Sequence, residues 1–96
     1  MNKPTMQWAY DNKDSINLID VRTPAEHQVR GIKGIMNFPI SQLIETPEKF
    51  IQKDVLYYTH CGSGGRAAKA AEELVKKGYN VIPCVDGIKS IKLDGE

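Results

Sequence analysis

The stretch that decides the fold is YYTHCGSGGRAA, residues 57–68. It overlaps the run 54–59, whose β-branched and aromatic residues predict a buried strand. Three glycines then fall within four residues, and from Arg66 the apolar positions take a helical period that ends before Gly78. The sequence therefore predicts a strand, a glycine-rich loop that opens on a cysteine, and a helix.

The loop itself is suited to holding an anion. Because glycine has no Cβ, the backbone can curl until successive N–H groups point at a common centre. The N-terminus of the following helix directs its positive dipole end at the same place. We expect the thiolate of Cys61, or a persulfide formed on it, to fill this cup, so Cys61 is the expected nucleophile. The expected substrate-binding residues are Gly62, Ser63, Gly64, Gly65 and Arg66.

Three motifs occur in order along the chain. The first is the loop, six residues from cysteine to arginine with glycine at the fourth place. The second is LIDVR at 18–22, and the third is GYNV at 78–81 with DGI at 86–88. Between the second motif and the loop come Pro24, Glu26, Gly34, Asn37 and Pro39. Over about residues 16–91 the chain thus resembles the single-domain form of the rhodanese family of sulfurtransferases.

The remaining elements alternate between strand and helix, which predicts an α/β fold with a parallel sheet covered by helices on both faces. The resemblance implies one rhodanese-like domain over 1–96, with four to five strands in its central sheet. Thr23, Pro24 and Glu26 have the spacing of a capping box that starts a helix running to about Arg30. Further predictions are an edge strand at 7–9, strands at 16–21, 35–38 and 81–85, helical turns at 39–44 and 46–51, and a short helix from 88.

The resemblance implies that Cys61 takes a sulfane sulfur from a small anionic donor such as thiosulfate or a persulfide. The sulfur then passes to a thiol or to cyanide. A non-catalytic relay or regulatory module, which docks on a protein sulfur acceptor, remains an alternative. A cysteine phosphatase or arsenate reductase is a third, but the loops of those enzymes hold one residue more between cysteine and arginine than the four found here.

The chain departs from the family pattern at two places. Arg30-Gly31 stands where the family usually has Gly-His, a difference that concerns local packing. Many family members also carry a basic residue directly after the cysteine, where it meets an anionic donor, whereas this chain has Gly62. The second departure bears on the preference for thiosulfate more than on persulfide chemistry.

The composition of the chain excludes several classes of function. A net charge of +1 is too small for bulk electrostatic binding of nucleic acid, and no stretch has the apolar length of a membrane span. Two cysteines form neither a disulfide framework nor a zinc pattern, so no metal or cofactor is expected. The start lacks the apolar region of a signal peptide, so the expected location is cytoplasmic, or periplasmic if a leader was removed.

Several polar residues near the loop have structural interpretations. Asp20 and Arg22 are expected to form an ion pair with Glu26 as a third member, while His27 faces solvent. His60 is expected to hydrogen-bond the strand end rather than act as a base. Cys84 is expected to be a buried small hydrophobe, or alternatively a resolving thiol that can reach Cys61.

Overall fold

The computed structural model describes residues 2–96. Two 3-10 turns, Pro47–Lys49 and Ile88–Ser90, accompany the helices and strands. In chain order the helices and strands are α1 (Met6–Asp11), β1 (Leu18–Asp20), α2 (Pro24–Val29), β2 (Met36–Asn37), α3 (Ile40–Glu45), β3 (Leu56–His60), α4 (Gly65–Lys76) and β4 (Asn80–Pro83).

The strands form one parallel sheet in the order β2-β1-β3-β4. In the register, Asp20 of β1 stands between Asn37 of β2 and His60 of β3, so the carboxyl ends of the three strands are level. The predicted α/β fold is confirmed, with four strands in the sheet. A parallel sheet of this kind carries its site at the carboxyl edge, which is where the chain leaves β3 for the glycine loop.

Side chains of successive strand residues point to opposite faces and build two cores. Ile19 and Tyr57 pack with α3 and α4, whereas Leu18 and Tyr58 pack with α1 and the C-terminal turn. Tyr57 also accepts a hydrogen bond from the Gln52 amide at 2.9 Å. Both faces of the sheet are therefore covered, as the alternation of strands and helices predicts.

The predicted edge strand at 7–9 is wrong, because residues 6–11 form α1. Thr5 caps this helix by accepting a hydrogen bond from the Trp8 amide at 3.1 Å. Met6, Ala9 and Tyr10 are buried together, and this spacing of three and four residues is the period of a helix. The helical period could not be recognised in the sequence, because the apolar residues at these positions are few and lie within a mostly polar segment.

The other element boundaries differ by a few residues. The capping box is present as predicted, with Thr23 and Glu26 bonded reciprocally and α2 ending at Val29. The last strand ends at Pro83, two residues earlier than predicted, because Val85 instead donates its N–H to the carbonyl of Pro4. Within residues 2–96, no helix is both long and apolar enough to cross a membrane.

Candidate active site

Cys61 lies directly after β3, with its side chain inside the loop that follows. Its Sγ accepts a hydrogen bond from the Gly64 N–H at 3.0 Å and a second from the Ala67 N–H at 3.4 Å. The residue is only 1% exposed, so little water competes for these donors. Among the loop amides expected to converge on the sulfur, the Gly64 N–H is the one that donates a hydrogen bond to it. The second donor, Ala67, lies one residue beyond the predicted loop.

Gly64 allows the backbone to make this turn. It has a φ of 116° and forms the N-cap of α4 in the left-handed region, where L side chains are strained. A Cβ at this position would lie 3.0 Å from the carbonyl oxygen of Val85. The glycine is therefore required both by its dihedral angles and by the close approach of the segment after β4.

The C-terminal turn holds the loop from the other side. The amides of Ile88 and Lys89 donate to the carbonyls of Cys61 and Gly62 at 3.0 and 3.1 Å. A Cβ on Gly87 would lie 2.1 Å from the Gly62 carbonyl oxygen, so only glycine permits this contact. These bonds satisfy loop carbonyls that would otherwise be buried without partners.

Arg66 is held by an acidic residue of α2. Its guanidinium donates to both carboxylate oxygens of Glu26, at 2.7 and 2.8 Å. The Arg66 hydrogen bonds, together with those from Thr23, lower the pKa of Glu26 to about 2, and the bonds to Glu26 raise the pKa of Arg66. The pair fixes the start of α4 against α2, and it leaves Arg66 with its charge neutralised.

The expected three-membered ion pair has a different third member. Arg22 binds Asp20 through its Nε and Nη2, but Glu26 is engaged with Arg66. His27 takes the expected place of Glu26, with its Nδ1 at 2.8 Å from the Asp20 carboxylate, so the prediction that it simply faces solvent is wrong. Burial raises the pKa of Asp20, but the Arg22 hydrogen bonds and the neighbouring histidines outweigh burial and lower that pKa below its ordinary value.

His60 is completely buried behind the cysteine. Its Nδ1 lies 3.5 Å from the Cys61 carbonyl, and its Nε2 lies 4.0 Å from Asp20 and has no hydrogen-bond partner among the described residues. Burial lowers the pKa of His60, although the charge of Asp20 opposes the shift. A neutral imidazole turned toward the protein interior fits the expected structural position.

The remaining predicted site residues surround the mouth of the loop. Ser63 and Gly65 are exposed, while Gly62 is buried next to the cysteine.

Cys84 is buried in the core that contains α1, whereas Cys61 belongs to the core that contains α4. Burial, Asp86 and Cys61 together raise the pKa of Cys84 to about 12, so it stays a neutral thiol. Both cysteines are free.

A family model for the rhodanese-like domain matches residues 5–94, nearly the whole chain. The chain belongs to the rhodanese-like domain family. This agrees with the resemblance of the three motifs, and it extends the similarity to α1, which the motifs had left out.

Individual relatives of the rhodanese-like chain are distant. Over 77 residues it is 30% identical to YrkF of Bacillus subtilis, named a putative sulfur carrier protein, and the match covers 76% of this chain and 41% of that protein. It is 28% identical to the Escherichia coli thiosulfate sulfurtransferase PspE, covering 78% of this chain and 73% of the relative. The chain thus spans less than half of the first relative and about three quarters of the second.

A solved structure is similar over almost its full length. The rhodanese-related protein of Thermoplasma volcanium is 31% identical and superposes with a TM-score of 0.80. The superposition covers 94% of this chain and 89% of that protein. The rhodanese fold and family are therefore shown by both sequence and structure.

Proposed function

We propose that this protein is a sulfurtransferase that carries a sulfane sulfur on Cys61. The observation that carries the proposal is the pair of hydrogen bonds from the Gly64 and Ala67 amides to the Cys61 sulfur, at 3.0 and 3.4 Å. Donors fixed in this way stabilise a negative charge on sulfur without reorganising during the reaction. They are placed to donate to the sulfur that attacks the donor and that carries the transferred sulfur afterwards.

The reaction has two steps. The Cys61 thiolate attacks the outer sulfur of a donor such as thiosulfate, the S–S bond of the donor breaks, and sulfite leaves with the electron pair. Cyanide or a thiolate then attacks the outer sulfur of the Cys61 persulfide, which releases the thiolate and the sulfurated acceptor. Covalent catalysis of this type gives ping-pong kinetics.

No side chain is needed as a general base in this scheme. His60, the nearest titratable group in sequence, is fully buried, and its pKa is lowered by burial. The activation of Cys61 rests on main-chain N–H groups and on the N-terminal end of α4. The loop residues Gly62, Ser63, Gly65 and Arg66 complete the proposed site by shaping and closing this cup.

A sulfur relay to a protein acceptor is the second candidate. It is favoured by the similarity to YrkF, whose name describes a putative sulfur carrier. The loop chemistry would be the same, and only the acceptor would differ. A turnover that requires an added protein acceptor would distinguish the relay from the enzyme.

The experiment that tests the proposal is intact-protein mass spectrometry after incubation with thiosulfate. We expect a gain of one sulfur atom that cyanide or dithiothreitol reverses. Cys61→Ser should show no gain, whereas Cys84→Ser should gain sulfur as the unsubstituted protein does. Hydrolysis of an aryl phosphate without any sulfur adduct would overturn the proposal and favour phosphatase chemistry.

A further inference from the structure

A cavity of about 390 Å³ opens beside the active loop, between α2 and the C-terminal turn. Gly62 forms its boundary with the loop, and Ala25, Val29 and Ile88 give it apolar walls. Its size is within the range of small-molecule sites. A donor that approaches Cys61 from this side would therefore meet the side chains of the cavity first.

Most of the charges around this cavity are already neutralised. Arg22 pairs with Asp20, Arg30 pairs with Glu96, and Arg66 pairs with Glu26, each with an N–O distance of 2.7 Å. These pairs account for every arginine at the cavity and loop. They leave little net charge there with which to attract an anion.

Lys89 is the exception. It lines the cavity, it is exposed, and no carboxylate among residues 2–96 lies within salt-bridge distance of it. Its ammonium is therefore the uncompensated positive charge at the mouth. A cation that lacks a protein partner at the rim of an apolar cavity is available to a ligand.

The position of Lys89 is also set with respect to the loop. Its backbone N–H donates to the Gly62 carbonyl at 3.1 Å, so its main chain is tied to the residue that follows Cys61. A Cβ built on Gly62 would lie 3.4 Å from Lys89 Cε and 3.8 Å from Lys89 Nζ. The Lys89 ammonium thus occupies the space that a basic side chain at position 62 would enter.

We propose that Lys89 is a specificity-determining residue that binds the anionic group of the sulfur donor. This inference rests on the proposed sulfurtransferase function and assigns a donor-binding residue to it. In the first step a thiolate meets the thiosulfate dianion, and a sulfite dianion leaves. A nearby ammonium lowers the electrostatic cost of both the approach and the departure.

The test is the second-order rate of sulfur-adduct formation on Cys61 with thiosulfate, followed by intact mass. In Lys89→Met, which keeps the backbone N–H and most of the side-chain volume, we expect the rate to fall about tenfold or more, as befits the loss of a hydrogen bond to a charged group. Lys92→Met, at an exposed lysine outside the cavity lining, is the matched control and should leave the rate unchanged. Lys89→Arg should retain most of the rate.

A second variant tests position rather than general charge. Gly62 does not have a positive φ, and its Cβ would lie 3.4 Å from Lys89 Cε and 3.8 Å from Arg66 Nη2, the second an ordinary contact distance, so a side chain fits there once Lys89 is shortened. We expect Gly62→Lys to restore much of the thiosulfate rate in the Lys89→Met background. Thermal unfolding of each variant checks that the fold is kept.

The outcomes separate this inference from the proposed function. Equal rates in Lys89→Met and the unsubstituted protein, with a normal Cys61 adduct in both, would overturn the inference alone. A rate that falls equally in the Lys92→Met control would also overturn it, because the effect would then be that of net charge. Absence of any adduct in the unsubstituted protein would overturn the proposed function as well.

Discussion

Arg66 at the start of α4 and Glu26 of α2, 40 residues apart in the chain, are joined by two hydrogen bonds of 2.7 and 2.8 Å. Both side chains are about 40% exposed, so solvent screens the pair. We predict a coupling free energy below about 1 kcal/mol from a double-mutant cycle of Glu26→Gln and Arg66→Met. Urea unfolding of the four proteins measures it.

The same pair predicts a pH dependence. The pKa of Glu26 is lowered from an ordinary value of 4.5 to about 2. The stabilisation is therefore fully present above pH 4.5 and is lost as the pH falls from there toward 2, because the unfolded chain binds the proton first. At pH 6, Glu26→Gln should have a lower free energy of unfolding than the unsubstituted protein, and this difference should become smaller toward pH 3. A difference that stays constant over that range would contradict the interpretation.

The second prediction concerns the buried Asp20–Arg22 pair. Asp20 is fully buried, and the Arg22 side chain is 6% exposed. Asp20→Asn would leave a buried guanidinium without its counter-charge, and we expect a loss of about 3 kcal/mol in the free energy of unfolding. Asp14→Asn, at an exposed aspartate with no ion pair among the described residues, should change it little. A chemical-denaturation comparison at pH 7 decides between them.

The third prediction separates the glycines of the loop. Gly64→Ala places a Cβ in the left-handed region and 3.0 Å from the Val85 carbonyl, so the loop must shift and sulfur loading should fall at least tenfold. At Gly65 a Cβ would meet nothing within 4 Å and the backbone N–H is kept, so Gly65→Ala should lose far less loading than Gly64→Ala.

Gly34→Ala provides the control for backbone strain alone. Gly34 has a φ of 84° but open space around it, so this variant should lose stability by about 1 kcal/mol without losing sulfur loading. If Gly64→Ala loaded sulfur at the full rate, the close contact between the loop and Val85 would not shape the site.

The fourth prediction concerns Cys84. With a pKa raised to about 12, this buried thiol has almost no thiolate at neutral pH and is a poor nucleophile. Cys84→Ala should load and release sulfur as the unsubstituted protein does. After mild oxidation, peptide mass spectrometry should find no peptide that links Cys61 to Cys84, and detection of such a peptide would establish the resolving role instead.

Much of the fold follows from local pattern. The strand-loop-helix unit around Cys61 could be predicted because β-branched and aromatic residues, three glycines and an alanine-rich stripe follow one another within a short window. The capping box of α2 could be predicted because its hydrogen bonds join residues three apart. The helix α1 could not, since its period is visible only once the core that buries Met6 and Ala9 is known.

The candidate site divides in the same way. Cys61 and Gly64 were apparent in the sequence, but the amides expected to converge on the sulfur were those of residues 62–66, which do not include Ala67. The partners of Arg66 and His27 could not be assigned, because the sequence offers several carboxylates and only folding selects one. Lys89 had no signal in the sequence, since nothing local connects it with Gly62.

The sequence by itself determined the order of the elements from β1 onward and the glycine loop that opens on Cys61, because these depend on backbone preferences and on hydrogen bonds between near neighbours in the chain. Only the tertiary structure decided which charges neutralise one another around the loop, and that Lys89 has no carboxylate partner among the described residues. Those pairings join residues as far apart as Arg30 and Glu96, and their choice depends on how α2 and the C-terminal turn pack against the carboxyl edge of the sheet.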